Sequence, residues 1–390
     1  MKNVPGFSQK FEALMGSWFG RISSAIMDQA IFSGGTFILS VLLARWLGPV
    51  SFGAYTVAYA WLGLGLNLYD SLLTEPMAIY GSKKYAKQFR GYLGHLYYGH
   101  ALLTLVIAII MGIGAWFSYQ YDTYHVFLAM AGAALAAPLF FTRWLTRQPF
   151  YVMSKPHWAA AGGFIFLVTN VALLAALRYV GIINSFNAML VTGVAALAGA
   201  IFVTVTLLKP DFRLKNDELS KREILKDHYE YGRWAAPSRI LAWLPGSIFF
   251  IVLPMAVSLE ANATLSAVGS LFRPLFLMIQ AIGGVMLPSF VRAYENHGLE
   301  ALNARVKQVT LLGMLGISLI ALIFTVFGQQ IVHIVYAGQY DEFTTFPIIL
   351  TMALFPVIEV VQQMLDIGLR SMGLVRLTFI VKVVWGVGTV

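Results

Sequence analysis

The stretch "FILSVLLARWLGPVSFGAYTVAYAWLGLGLNLY", residues 37–69, decides the fold. Apolar residues fill it on both sides of Gly48 and Pro49, a pair that ends one helix and lets the next begin. A helix that crosses a bilayer needs about 20 predominantly apolar residues. The stretch therefore predicts the end of one membrane span, a turn that carries Arg45, and a second span.

The composition extends this prediction to the whole chain. Of its 390 residues 58% are hydrophobic and 12% are charged, whereas soluble proteins are roughly 45–50% apolar and about 25% charged. These proportions exclude a soluble globular protein and predict an all-α polytopic membrane protein. The net charge of +9 needs no nucleic-acid partner, because basic loops meet the anionic head groups of membrane lipids.

Apolar runs bounded by charged or turn residues predict eleven spans, six before a charged connector and five after it. The connector, "KPDFRLKNDELSKREILKDHYEYGR", covers residues 209–233 and is expected to form an amphipathic helix on the membrane surface. The predicted spans are 22–44, 52–69, 93–117, 126–141, 159–177, 189–207, 234–257, 265–287, 309–327, 346–365 and 377 onward.

Lysines and arginines predict the orientation. Most of them fall in loops on the side of the N-terminus, including the seven in the connector. Because cytoplasmic loops carry the excess of basic residues, the N-terminus is expected in the cytoplasm of a multi-pass protein. No apolar core with a cleavage site precedes the first span, so that span is expected to be retained.

Several motifs are missing from the sequence. It has no cysteine, which excludes disulfides and thiolate metal sites, and it has no P-loop, dinucleotide fingerprint or H-E-x-x-H motif. The predicted outer loops are short and leave no obvious room for sugar chemistry. We therefore expect neither an enzyme nor a cofactor, with a proton or sodium gradient as the energy source.

Three stretches resemble a known family. "LLARWLGPVSFGAYTVAYA" resembles the N-terminal signature of the polysaccharide transporter branch of the MOP (MATE-like) superfamily. "LSAVGSLFRPLFLMIQAIGGVMLPSF" is similar to the eighth helix of that family, and "YAGQYDEFTTFPIILTMALFPVI" to the entry into its tenth. The likeness covers nearly the whole chain, and its first motif is the most specific.

The resemblance implies two pseudo-symmetric helical bundles around a central cavity, with domains at 1–208 and 234–390 joined by the connector. It implies a bacterial inner-membrane flippase, expected to be monomeric, for undecaprenyl-diphosphate-linked oligosaccharide. A polysaccharide polymerase and glycosyltransferases would be its partners. Family members have twelve or more helices, so this chain is expected to be a fragment with an incomplete second bundle.

Charges inside the predicted spans are the candidate site residues, because such groups are costly in lipid and tend to face a cavity or a partner. Arginine matches phosphate oxygens bidentately. The candidates for the diphosphate are Arg273, Arg239 and Arg45, although Arg45 is also well explained as an interfacial anchor. The candidates for cation coupling are Asp28, Glu359, Asp70 and Glu75. Asp28 and Arg239 are expected to meet between the two lobes.

Three alternatives stay open. A multidrug/cation antiporter of the same superfamily would share the architecture, but its cavity would be richer in carboxylates than in arginines. A polytopic polymerase or ligase of envelope assembly would need a long outer loop. A lipid II flippase is a relative whose cargo the sequence does not distinguish.

Overall fold

A computed structural model describes residues 18–121, 123–212, 220–342 and 344–372, together with 374, 377 and 380. This part of the chain is helical and contains no strand. The predicted eleventh span lies almost entirely outside the described residues, and so do residues 213–219 of the connector.

Most of the helices are long, because a chain in lipid must satisfy its backbone hydrogen bonds within each helix. In chain order they are α1 (Trp18–Leu47), α2 (Pro49–Tyr69), α3 (Glu75–Gly81), α4 (Phe89–Gln120), α5 (Tyr124–Val152), α6 (Pro156–Val180), α7 (Ser185–Val203), α8 (Lys221–Ser247), α9 (Phe249–Ala256), α10 (Leu259–Tyr336) and α11 (Phe346–Ser371). Two π-helical turns, Asp70–Thr74 and Thr204–Leu208, and a 3₁₀ turn, Ala86–Gln88, complete the set. Gly298 interrupts α10 with a φ of 74°.

Seven of these helical segments are long and apolar enough to cross a membrane, and the bent pair formed by α8 and α9 would be an eighth. They correspond to eight of the eleven predicted spans. The predicted second span is helical within α2, but its glycine and tyrosine residues lower its mean hydropathy. The predicted eighth span lies within α10.

The charged connector differs from its prediction. From Lys221 it is continuous with the predicted seventh span, and α8 runs without interruption to Ser247. Charged residues favour a surface position, but they do not end a helix, since Lys, Glu and Arg are good helix formers. The second half of the connector is therefore the beginning of a spanning helix.

The chain divides into two compact units. Unit 1 takes the residues up to Thr36 together with Val57–Trp243, and unit 2 takes Phe37–Thr56 together with the residues from Leu244 onward. The helices α1, α2 and α8 thus each contribute to both units. The domain limits drawn from the sequence stay a prediction.

Within unit 1, α5 packs against α4, α6 and α7. Small residues allow the close approach: a Cβ atom added to Gly132 of α5 would lie 2.6 Å from the carbonyl oxygen of Phe186 of α7. Helices in membranes commonly associate through such residues, because lipid supplies no hydrophobic driving force between them. The tight packing of α5 fixes the side chains on its last turns.

Within unit 2, α10 packs along α11. The loop that joins them covers the end of α1, where Gln339 Nε2 donates to the carbonyl of Arg45 at 2.9 Å and the Tyr340 hydroxyl donates to that of Ala44 at 3.0 Å. These bonds satisfy carbonyls that have no partner within their own helix. The backbone of Arg45 is thus part of a helix cap, while its side chain is exposed.

Candidate functional site

Unit 1 holds a cluster of charges where α2 ends. Arg239 of α8 donates from Nε to Glu75 Oε1 at 3.1 Å, from Nη2 to the same oxygen, and from Nη1 to Asp70 Oδ2 at 3.4 Å. The hydroxyl of Tyr231 donates to Glu75 Oε2 at 3.2 Å, and that of Thr74 to Asp70 Oδ1 at 2.5 Å. We call these five residues the Glu75 cluster; with two carboxylates and one guanidinium, it carries an excess negative charge.

The Glu75 cluster depends on the π-helical turn Asp70–Thr74. There the backbone N–H of Glu75 donates to the carbonyl of Asp70, five residues earlier. In an α-helix, five residues advance by about 140° around the axis, which would turn the two carboxylates to different faces. The wider turn lets one guanidinium reach both, and such turns frequently mark functional sites.

A second cluster lies around Asp28 of α1. Arg147 of α5 donates to Asp28 Oδ2 from Nη2 at 2.6 Å and from Nε at 2.9 Å, and the hydroxyl of Tyr151 donates to the same oxygen. The Asp28 side chain is 2% exposed, against 32% for Glu75. Together with Arg143, these residues form the Asp28 cluster, which has two guanidinium groups and one carboxylate.

The guanidinium of Arg143 forms no salt bridge or hydrogen bond with another residue that the structure describes, whereas its backbone carbonyl accepts a bond from the Thr146 hydroxyl at 3.2 Å. Its guanidinium lies 3.9 Å from the ring centre of Phe166 and 5.2 Å from that of Phe32, an arrangement in which aromatic faces stabilise a cation. Arg143 and Arg147 line a small pocket with Trp158, Gly162 and Gly163. The pocket has room for about one water molecule, which suits a bridging water better than a large ligand.

The remaining candidates lie in unit 2. The side chain of Arg273 is half-buried in α10 and forms no ion pair or hydrogen bond with another described residue. Glu359 lies on α11 with a partly exposed side chain, and the side chain of Arg45 is exposed at the end of α1. No cluster of three or more metal-ligating side chains occurs in the described part of the chain.

The structure groups the predicted residues differently from the sequence. Asp70, Glu75 and Arg239 come together, whereas the predicted pair of Asp28 and Arg239 is not formed: both belong to unit 1, and each has other partners. Arg143 and Arg147 were not among the predicted site residues, because the fourth span was predicted to end at residue 141 and both residues fell in the loop after it. Their separation of four residues, which puts them on one helix face, was the available signal.

Comparisons with known proteins identify the fold. One similar structure is the inward-facing conformation of a multidrug resistance MATE family transporter of the MOP superfamily, at 13% identity and a TM-score of 0.71 over 92% of this chain and 87% of the other. The outward-facing conformation of such a transporter gives 14% identity and a TM-score of 0.62 over 93% and 85%.

A MATE protein in complex with MaL6 gives 14% identity and a TM-score of 0.63 over 95% of this chain and 87% of the other. No family model and no curated protein matches the sequence. The chain therefore has the MATE fold, and the all-helical, MATE-like fold class predicted from the sequence is confirmed.

Proposed function

We propose that the protein is a membrane transporter of the MOP superfamily that works by alternating access. The support is the fold, which it shares with inward-facing and outward-facing MATE transporters over more than nine-tenths of its length. Charged clusters inside apolar helices fit this role, because ionisable groups at membrane depth tend to mark ion or substrate pathways.

For the cargo we propose an undecaprenyl-diphosphate-linked oligosaccharide, moved from the cytoplasmic to the outer leaflet of the bacterial inner membrane. The observation that carries this proposal is Arg273. A half-buried guanidinium without an ion-pair partner among the described residues is stabilised by an anion that binds to it. A diphosphate supplies oxygens in the geometry that guanidinium groups bind bidentately.

For the coupling ion we propose a proton or Na⁺ at the Glu75 cluster. Asp70 and Glu75 share one guanidinium, so their site retains a negative charge that a cation can neutralise. Asp28 is the weaker candidate, because Arg147 and Tyr151 already saturate one of its oxygens. Arg239, first considered for the diphosphate, serves in this proposal as the partner of the two carboxylates.

A second candidate function is multidrug/cation antiport. Its supporting observation is the same partly exposed pair of carboxylates, since a carboxylate-bearing site attracts cationic drugs. Two similar structures are those of proteins described as multidrug resistance transporters. Arg273, whose side chain lacks an ion-pair partner among the described residues, favours an anionic cargo over a cationic one.

The two functions are separated by one pair of assays in a strain that lacks the gene. Labelled lipid-linked oligosaccharide is followed across the inner membrane, and efflux of a cationic dye is measured in the same cells. We compare the wild type with Arg273→Ala, Arg273→Lys and the matched control Arg305→Ala, whose side chain is exposed on α10.

We expect the wild type and Arg305→Ala to restore oligosaccharide flipping, Arg273→Ala to fail at normal abundance, and Arg273→Lys to be intermediate. Flipping by Arg273→Ala at the wild-type rate contradicts the role of Arg273. Dye efflux without flipping establishes the antiporter instead. If the strain that lacks the gene flips the oligosaccharide normally but leaves its sugar chains unpolymerised, the protein is a polymerase or ligase and not a transporter.

A further inference from the structure

The N-terminal half of α8 has one face docked onto unit 1. Asp227 accepts hydrogen bonds from Lys84 Nζ at 2.7 Å and from the Tyr85 hydroxyl at 2.6 Å, and Lys84 also pairs with Glu223 at 2.7 Å. These bonds to Asp227 and Glu223 raise the pKa of Lys84, and burial with the bond to Asp227 raises the pKa of Tyr85 to about 12. Because a raised lysine pKa keeps the charged form, this contact is complete at neutral pH.

The same docked face reaches the π-helical turn. His228 Nδ1 donates to the carbonyl of Leu72 at 2.8 Å, so its Nε2 accepts from the Tyr92 hydroxyl at 2.7 Å. Three residues further along, Tyr231 bonds to Glu75, and the Arg239 ion pairs follow two turns later. One rigid helix therefore carries the docking contacts and two members of the Glu75 cluster.

The opposite face of this half of α8 has no contact within the described chain that buries it. Two large apolar or aromatic side chains, Leu225 and Tyr229, are exposed there. Three basic residues, Arg222, Lys226 and Arg233, are exposed on the same side. At about 100° per residue, these five side chains fall within about 100° of one another around the helix axis, on a face that we call the α8 outer face. Trp234 is 72% exposed at the border of this face, where the guanidinium of Arg233 lies 5.6 Å from the centre of its ring.

The position of the α8 outer face along the protein follows from the docking contacts. Lys84 and Tyr85 belong to the short segment between α3 and α4, just before the apolar residues of α4 begin. The bonds from this segment to Asp227 place that part of α8 beside the start of the apolar residues of α4. The α8 outer face thus lies at the level of the lipid head groups, at which tryptophan, tyrosine and basic residues concentrate.

We propose that the α8 outer face is a binding surface for the head groups of anionic phospholipids. Its basic side chains outnumber the acidic ones available to a lipid, because Glu223 is bound to Lys84 while Glu230 offsets only Lys226 at 3.8 Å. Leu225 and Tyr229 supply the apolar contact that membrane-surface helices combine with positive charge, and Trp234 borders them. Since α8 also carries Tyr231 and Arg239, bound lipid would act on the helix that holds the Glu75 cluster.

The proposal does not depend on the cargo, and its test measures binding rather than transport. The purified protein is reconstituted into vesicles that contain increasing fractions of brominated phosphatidylglycerol or, in parallel, brominated phosphatidylcholine. Bromine quenches tryptophan fluorescence at short range. The difference between the wild type and Trp234→Phe isolates the signal of Trp234 from that of the other tryptophans.

We expect the Trp234 signal to be quenched at a lower fraction of brominated phosphatidylglycerol than of brominated phosphatidylcholine. The variant Arg222→Gln/Lys226→Gln/Arg233→Gln should abolish this preference. Each basic side chain near an anionic surface contributes ~1 kcal/mol, so each one lost should lower the affinity for the anionic lipid about fivefold. The control Arg292→Gln/Arg305→Gln/Lys307→Gln loses the same charge from exposed residues of α10 and should keep it.

Equal quenching by the two lipids in the wild type would overturn the proposal and would indicate that the α8 outer face binds a protein instead. An equal loss of preference in the control variant would overturn it as well, because the effect would then come from net charge alone. Both results are independent of whether the protein moves oligosaccharide, drugs or neither.

Discussion

The two charged clusters of unit 1 are built from the same side chains in opposite proportions. The Asp28 cluster holds one carboxylate between two arginines, and its aspartate is 2% exposed; the Glu75 cluster holds one arginine between two carboxylates, and its glutamate is 32% exposed. A buried ion is costly to leave unpaired, whereas a partly solvated one changes partners at little cost. The first arrangement therefore suits a structural pair, and the second suits a site that exchanges ions.

The sharpest test of this comparison is Asp28→Asn. Removal of one partner from a buried pair leaves an uncompensated charge, and we expect a loss of about 3–5 kcal/mol in the free energy of unfolding. Thermal unfolding of the purified protein in detergent measures it. The double variant Asp28→Asn/Arg147→Gln should recover part of the loss, since it removes the orphaned charge; no loss in the single variant would break the distinction between the clusters.

A second test compares the two tyrosines that bond to carboxylates. Tyr151→Phe removes a hydrogen bond to the buried Asp28, and hydrogen bonds to charged groups contribute about 1.5–3 kcal/mol. Tyr231→Phe removes the 3.2 Å bond to the more solvated Glu75, and its effect on unfolding should be smaller. Unfolding curves recorded side by side decide the order, and a larger loss for Tyr231→Phe would reverse our assignment of the two clusters.

A small effect on stability, compared with that of Asp28→Asn, is expected for Glu75→Gln. Its ion pair with Arg239 is partly solvated, with side chains 32% and 34% exposed, and solvated pairs contribute about 0–1 kcal/mol, so the variant should fold and insert almost normally. If Glu75 binds the coupling cation, transport should nevertheless become insensitive to the proton or sodium gradient. Flux measured in vesicles with and without an imposed gradient tests this, with Glu230→Gln, an exposed acid on α8, as the matched control. Retained gradient dependence would remove Glu75 from the coupling site.

The sequence predicted the fold well and the contacts poorly, for physical reasons. Spans follow from runs of apolar residues, which is why helices such as α4 and α7 were found close to their observed limits. Ion pairs depend on which helix faces which: Asp28 pairs with a residue 119 positions away, and Glu75 with one 164 positions away. No local pattern carries that information.

Helix ends were the second weakness of the prediction. The fourth span was predicted to end at residue 141 because charged and polar residues follow, yet α5 continues through Pro149 to Val152. Its last turns bury Leu145, Thr146 and Phe150, so packing extends the helix beyond the apolar run. Arg143 and Arg147 are therefore interior residues rather than loop residues.

The π-helical turn at Asp70–Thr74 has a consequence for comparing this protein with its relatives. Deletion of a single residue from the turn would leave the two acids four residues apart, and in an ordinary α-helix four residues advance by about 40°, which keeps both on one face. The π-helical turn therefore does for a separation of five residues what an α-helix does for a separation of four. In an alignment of related sequences, a spacing of four in an unbroken α-helix and a spacing of five across a π-helical turn should both preserve the site, whereas a spacing of five without the turn should separate the two carboxylates.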